Sequence, residues 1–237
     1  MHTASYRTRR SELLTYFDRT AVEAWKRLTS DAPVSGIRAT VRAGREAMRA
    51  TLLGWLAQDL SGRRILDAGC GTGAFAVAAA ARGADVVAVD LSPTLIGLAR
   101  ERAEANRCPG RVTFHAGDML DPGLGSFDHV VAMDSLIHYR AADVARALGG
   151  LASRTRRSIL FTYAPRTPAL SVMHAIGRLF PRSDRAPAIE PVTGAALARL
   201  IAVEPGLAGW REGRTQRIAR GFYTSQAQEL VRHEAGR

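Results

Sequence analysis

One stretch constrains what this chain can fold into more than any other: Ile65-Leu66-Asp67-Ala68-Gly69-Cys70-Gly71-Thr72-Gly73. A short apolar run behind Arg63-Arg64 meets an aspartate and then glycines at three alternate positions. Ala74-Phe75-Ala76-Val77-Ala78-Ala79-Ala80-Ala81 follows and reads as a helix. Strand, glycine turn and helix in that order bring backbone amides and a helix N-terminus up to a ligand in α/β folds. Glycine permits the tight turn and lets a ligand touch the main chain. Alone, such a run is also an ordinary glycine-rich turn, so the residues beyond it decide.

From Arg64 onward strands and helices alternate. Apolar runs predict strands at 64–68, 84–90, 111–116, 128–133 and 158–163. Helices are predicted at 74–82, from Pro93, where proline suits a first helical turn, and at 141–152. The rhythm predicts an α/β fold: a Rossmann-like, seven-stranded, mostly parallel sheet with helices on both faces and right-handed crossovers. Residues 63–164 would form this core. Ahead of it, residues 1–62 hold two amphipathic helices, at 11–30 and 37–60, with apolar residues spaced three and four apart. They form a cap, serving either as a lid or as padding on the sheet. Residues 165–192, interrupted by five prolines, form an insertion after strand five. Residues 193–237 complete the core with a helix at 193–203 and two antiparallel strands near 207–213 and 217–223, turning at Gly213.

No run of about 18 apolar residues suggests a membrane span, and the N-terminus lacks the apolar segment of a signal peptide. Two cysteines, Cys70 and Cys108, cannot build a disulfide framework or a metal cluster. A cytoplasmic protein without a metal site is expected. The net charge of +11 lies mainly at the C-terminal end, where residues 150–237 carry fourteen basic against six acidic side chains. Such an excess suits an acidic substrate or a membrane surface, or is simply a solvated face. No nucleic-acid-binding signature accompanies it, so no nucleic acid is expected.

In open parallel sheets the ligand lies outside the carboxyl ends of the strands. Asp67, Asp90, Asp118 and Asp134 all fall at such ends. Asp90, seventeen positions after Gly73, is placed to accept both ribose hydroxyls of a nucleoside. A dinucleotide fingerprint spaces its glycines G-x-G-x-x-G; here the pattern is Asp67-x-Gly69-x-Gly71-x-Gly73. It resembles the first motif of class I S-adenosylmethionine-dependent methyltransferases. The resemblance implies S-adenosylmethionine as cofactor and S-adenosylhomocysteine as product. It places Asp67, Ala68, Gly69, Cys70, Gly71 and Gly73 around the cofactor, with Asp67 orienting its amino-acid end. Asp90 would hold the ribose and Leu91 would lie beside the adenine. Gly117-Asp118-Met119 resembles the adenine-contacting motif after strand three. Phe127-Asp128-His129-Val130-Val131-Ala132-Met133-Asp134 resembles the fourth-strand motif, which adds Met133 and Asp134.

The flanks carry a narrower resemblance. Tyr16-Phe17-Asp18-x-Thr20, Trp25-Lys26-Arg27, Ile37-Arg38 through Arg42-x-Gly44-Arg45, Asp134-Ser135-Leu136-Ile137-His138-Tyr139, Tyr163-Ala164-Pro165-Arg166-Thr167 and Arg220-Gly221-Phe222-Tyr223-Thr224-Ser225 resemble magnesium-protoporphyrin IX O-methyltransferases, in order along almost the whole chain. One departure is Leu28-Thr29, where that family often carries a tyrosine, so no N-terminal catalytic tyrosine is carried over. The resemblance implies (bacterio)chlorophyll biosynthesis, with transfer of a methyl group to a propionate of Mg-protoporphyrin IX. It also implies a magnesium chelatase subunit as a binding partner. His138 is the catalytic candidate, holding the carboxylate or managing its proton, against the alternative of a structural loop histidine. Arg42 is the candidate partner for the cofactor carboxylate or a propionate. The apolar run 170–180 with its flanking arginines suits a porphyrin plate, peripheral contact with a membrane, or a buried helix. Two other readings stay open: a methyltransferase for a quinone precursor, and a cofactor-binding scaffold without turnover.

Overall fold

The computed structural model describes residues 3–19, 36–104, 106, 108–166 and 188–233. Its elements in chain order are α1 (Ala4–Arg19), α2 (Gly36–Gly54), β1 (Arg64–Ala68), α3 (Ala74–Ala80), β2 (Asp85–Asp90), α4 (Pro93–Glu104), β3 (Arg111–Ala116), β4 (Phe127–Ala132), α5 (Ala141–Ala152), β5 (Thr155–Tyr163), α6 (Gly194–Val203), β6 (Trp210–Arg220) and β7 (Tyr223–Arg232). The seven strands form one sheet in the order β3-β2-β1-β4-β5-β7-β6. β1 to β5 pair in parallel, while β7 runs antiparallel to both β5 and β6. The predicted seven-stranded, mostly parallel architecture is therefore the observed one.

Strand alternation divides the core into two layers. Leu66, Ala68, Val87, Val89, Val130, Ala132, Ile159 and Phe161 face α5 and α6 on one side, where Tyr6 and Leu13 of α1 join them. Ile65, Val86, Ala88, Val131 and Leu160 face α2, α3 and α4 on the other. These strands are buried on both faces, which is why they read as continuous apolar runs rather than alternating ones. α2 anchors its end of the molecule through Met48 and Leu52, both fully buried. Burial of such side chains contributes about 1.5–3 kcal/mol each.

Several boundaries differ from expectation. The first helix starts at Ala4 rather than residue 11, because the Thr3 hydroxyl accepts the Tyr6 amide at 3.1 Å and caps it; the expected stretch 20–30 lies outside the described residues. The second helix stops at Gly54 rather than near residue 60, and turns carry the chain to Leu60. The expected hairpin at Gly213 is wrong. The chain reverses at Gly221-Phe222, where Gly221 has a φ of 54°, while Gly213 sits inside β6 at a register shift between Glu212 and Thr215. Of the insertion, 167–187 lies outside the described residues; Pro165 and Val192 pair at its two ends. No helix among the described residues is long and apolar enough to cross a membrane.

Candidate active site

The site grows from the turn between β1 and α3. Gly69, Gly71 and Gly73 all have positive φ. Gly69 is confined as well as turned: a Cβ there would lie 2.3 Å from the Cβ of Ser135, so the first and fourth loops meet only across a glycine. A Cβ on Gly71 would meet nothing within 4 Å, which leaves that main chain open to a ligand. Asp90, at the end of β2, braces the turn. Its Oδ2 accepts the Gly71 amide at 2.8 Å and its Oδ1 the Ser92 amide at 3.0 Å. Burial pushes its carboxyl up, and the Ser92, Gly71 and Leu91 amides pull it back.

These loops enclose a cavity of about 70 Å³ at the carboxyl ends of β1, β2 and β4. Of the candidate cofactor and catalytic residues, Gly69, Gly71, Asp90, Leu91, Met119, Met133, Asp134 and His138 line it, as does Gly117 of the motif after strand three. The others do not. Ala68 is fully buried in the sheet, and Gly73 packs toward Phe114 and Ala99. The Cys70 amide is tied to the Val89 carbonyl, and burial pushes its thiol well up. Asp118 turns to α1, where its Oδ1 accepts the Tyr6 hydroxyl at 3.0 Å and Arg10 lies 3.5 Å from Oδ2. Arg42 is not in the cavity lining; the α2 arginine that lines it is Arg45, whose Nη1 lies 3.3 Å from Asp134 Oδ2.

Asp67 lies beneath the glycine turn, 2% exposed, and its Oδ2 has no hydrogen-bond partner among the described residues. Burial and then the charge of Asp90 push its carboxyl up to about 7, with the Ala76 amide pulling the other way. Ser135 Oγ is likewise buried without a partner among the described residues, in the cavity wall. One set of groups results: the strand-end acid Asp90, the idle Ser135 hydroxyl and the apolar Leu91, Leu95 and Met119 in the cavity wall, with the uncompensated Asp67 oxygen beneath the adjoining turn and outside that lining. The set fits a nucleoside carrying a cationic amino-acid tail.

His138 closes the short turn Leu136–His138 after β4 and is 8% exposed. Its Nδ1 lies 3.4 Å from the Ala188 carbonyl, and its ring meets Phe17 edge-on with centroids 5.9 Å apart. Only a protonated Nδ1 can donate to a carbonyl, so in the neutral ring Nε2 carries the lone pair. Leu13 and Phe17 of the first helix and Ser135 also line the cavity, though none of them was a site candidate. The four-residue spacing of Leu13 and Phe17 was a usable signal, and Ser135 stood only within the motif from Asp134 to Tyr139. Tyr139 stacks on Tyr6 at 4.9 Å. Burial pushes both of their hydroxyls well up, so neither serves as a base.

Residues 65–157 match a methyltransferase domain, and residues 132–232 match the family described as magnesium-protoporphyrin IX methyltransferase C-terminus. The magnesium-protoporphyrin O-methyltransferase of Rhodobacter capsulatus is 50% identical over 95% of this chain and 98% of its own length. The chain belongs to that family. A crystal structure of the Synechocystis magnesium protoporphyrin IX methyltransferase with bound SAH superposes with a TM-score of 0.82. It is 29% identical and covers 94% of this chain and 99% of the other. A second structure of that enzyme, with bound SAM, gives a TM-score of 0.79 at 25% identity, covering 94% and 97%. The family is one of S-adenosylmethionine-dependent methyltransferases, and this chain is such an enzyme.

Proposed function

We propose that this chain methylates a propionate carboxylate of Mg-protoporphyrin IX, giving the monomethyl ester and S-adenosylhomocysteine. The observation that carries this reading is the near-full-length similarity to the Rhodobacter capsulatus enzyme. The donor set at the strand ends supports it.

When bound, S-adenosylmethionine supplies a methyl group made electrophilic by its sulfonium. In this reading Asp67 and Ser135 hold the amino-acid end, Arg45 meets its carboxylate, Asp90 takes the ribose, and Leu91 and Met119 wall the adenine. A propionate, with a pKa of about 4–5 like a glutamate side chain, is already ionised at neutral pH. The chain therefore needs no strong base. Its work is alignment and desolvation, and alignment alone can supply roughly 7–11 kcal/mol of a barrier. As the imidazolium, His138 donates from Nδ1 to the Ala188 carbonyl and from Nε2 to the propionate carboxylate, which orients it. α1 acts as a lid: Leu13 and Phe17 take up space in a cavity far smaller than the roughly 300–1,000 Å³ of ligand pockets, so cofactor entry displaces them. Asp18 latches this helix through the Ser92 and Thr94 hydroxyls at 3.0 and 2.7 Å.

The basic excess in 150–237 and the family resemblance support two partners, an anionic membrane surface and a magnesium chelatase subunit that hands over the substrate. Vesicle flotation and co-purification with the chelatase subunits test these. Incubation of the purified protein with Mg-protoporphyrin IX and methyl-labelled cofactor tests the activity. Label should appear in a porphyrin monoester. Cofactor binding without porphyrin esterification overturns the reading.

A further inference from the structure

Asp134 leaves β4 with a φ of 53°, the one positive φ at a non-glycine position among the described residues. That conformation costs an L-residue roughly 1–2 kcal/mol unless local bonds support it. Here the support is dense. The Tyr223 hydroxyl lies 3.1 Å from both carboxylate oxygens, and Ser225 Oγ lies 3.4 Å from Oδ1. Thr162 Oγ1 accepts the Asp134 amide at 2.8 Å and donates to its Oδ1 at 3.2 Å. Arg45 completes the set at 3.3 Å from Oδ2.

These partners come from β5, β7 and α2, and the contact between α2 and β7 is itself tight. The Tyr223 ring lies against Gly44, where a Cβ would fall 2.4 Å from the ring Cδ1. Asp134, Arg45 and His138 line the same cavity. The turn carrying His138 begins two residues after Asp134. Asp134 is thus a hub: its backbone starts the His138 turn and its carboxylate fixes the arginine. Burial and then the Asp134 charge push the Tyr223 hydroxyl well up, so it remains a donor at all working pH.

We propose that Tyr223, assisted by Ser225, is a positioning residue for methyl transfer. By fixing the Asp134 carboxylate it sets where the His138 turn leaves β4 and where Arg45 enters the cavity. The proposal rests on the methyltransferase reading above, and it assigns the C-terminal hairpin a part in the reaction geometry.

Tyr223→Phe keeps the ring on Gly44 and removes only the hydroxyl. The measurements are SAH affinity by calorimetry, kcat and KM for Mg-protoporphyrin IX, and the melting midpoint. A misplacement of about 1 Å can cost up to about 10²-fold in rate, so kcat should fall about tenfold, with SAH binding weakened about threefold. Asp134→Gly keeps the left-handed backbone and removes both carboxylate oxygens; in that background Tyr223→Phe should add nothing further. Gly44→Ala retains the hydroxyl but displaces the ring, and should reproduce the loss of kcat and SAH affinity. The proposal is overturned if Tyr223→Phe lowers only the melting midpoint, with kcat and SAH affinity unchanged. It is equally overturned if the effects of Tyr223→Phe and Asp134→Gly multiply. Should the wild type fail to esterify porphyrin, the activity reading falls, while the SAH affinities still decide on the positioning role.

Discussion

Asp67→Asn should make the protein more stable with rising pH relative to wild type while weakening its grip on the cofactor. Asp67 is buried, has an oxygen without a partner among the described residues, and has its carboxyl pushed up to about 7. The unfolded chain releases this proton near pH 3.9. Between about pH 4 and 7 the folded chain therefore holds a proton the unfolded chain has lost, so stability from this group is fully present below pH 4 and lost as pH rises through 7. A tenfold difference in proton affinity between the two states is worth about 1.4 kcal/mol, so the whole effect is about 4 kcal/mol, of which about 2 falls between pH 5.5 and 8. For a domain of this size that is about 4–8 °C in melting midpoint. The asparagine does not titrate, although its amide meets a buried site lacking a partner and carries a fixed cost of about 1–3 kcal/mol. The readout is therefore the change in the difference between variant and wild type. Melts at pH 5.5 and 8 should show the variant gaining about 4–8 °C on wild type. The same charge should attract the amino group of SAH, so wild-type affinity should fall about tenfold from pH 8 to pH 6 and be flat in the variant. A difference in midpoint that is constant with pH refutes the reasoning.

The remaining predictions concern the cavity wall. His138→Ala should lower kcat with Mg-protoporphyrin IX by about 10²-fold while leaving SAH affinity near wild type, measured by turnover and calorimetry side by side. Full turnover by that variant removes its catalytic role. Arg45→Ala should weaken SAH binding by about tenfold, as expected of a charged hydrogen bond, whereas Arg42→Ala should leave it near wild type; the reverse order would restore Arg42. Gly69→Ala combines a strained φ with a clash on Ser135, and should cost about 1–3 kcal/mol by thermal melt and abolish measurable cofactor binding.

The sheet was legible because β1, β2, β4 and β5 are largely buried on both faces, and continuous apolar runs separated by glycine and proline leave few other assignments. The cavity was legible for a related reason. In a parallel sheet the strand ends are known once the strands are, so Asp90, Met133 and Asp134 followed from counting. What depended on distant packing did not. Arg42 and Arg45 lie three residues apart on one helix, and which of them reaches the cavity is fixed by the phase of α2 against β7. Gly44 sets that phase by admitting the Tyr223 ring, across 179 positions of chain. Gly213 was read as the hairpin turn, and Gly221 was not. Only Gly221 has the positive φ a turn uses, because Gly213 instead serves a register shift beside the Arg214–Glu229 pair. The early start of α1 had a local signal, a threonine cap at Thr3, that apolar spacing alone passes over.

Four aspartates at four strand ends look equivalent in the sequence, and the fold makes each of them different. Asp134 is enclosed by donors and works as a structural joint. Asp118 holds the first helix through Tyr6. Asp90 shapes the glycine turn with backbone amides. Asp67 has a carboxylate oxygen left without a hydrogen bond among the described residues. A buried carboxylate with an idle oxygen is costly, and an apolar residue there would stabilise the sheet. A positively charged group arriving there would offset that cost in the ionised form, and the amino group of S-adenosylmethionine is such a group. Because the cofactor and its demethylated product both retain that amine, Asp67 should hold the two alike. Discrimination between them then falls to the residues nearer the sulfur, around Met133 and His138. Swapping Asp67 should therefore change both affinities by the same factor, whereas a change at the methyl end should separate them.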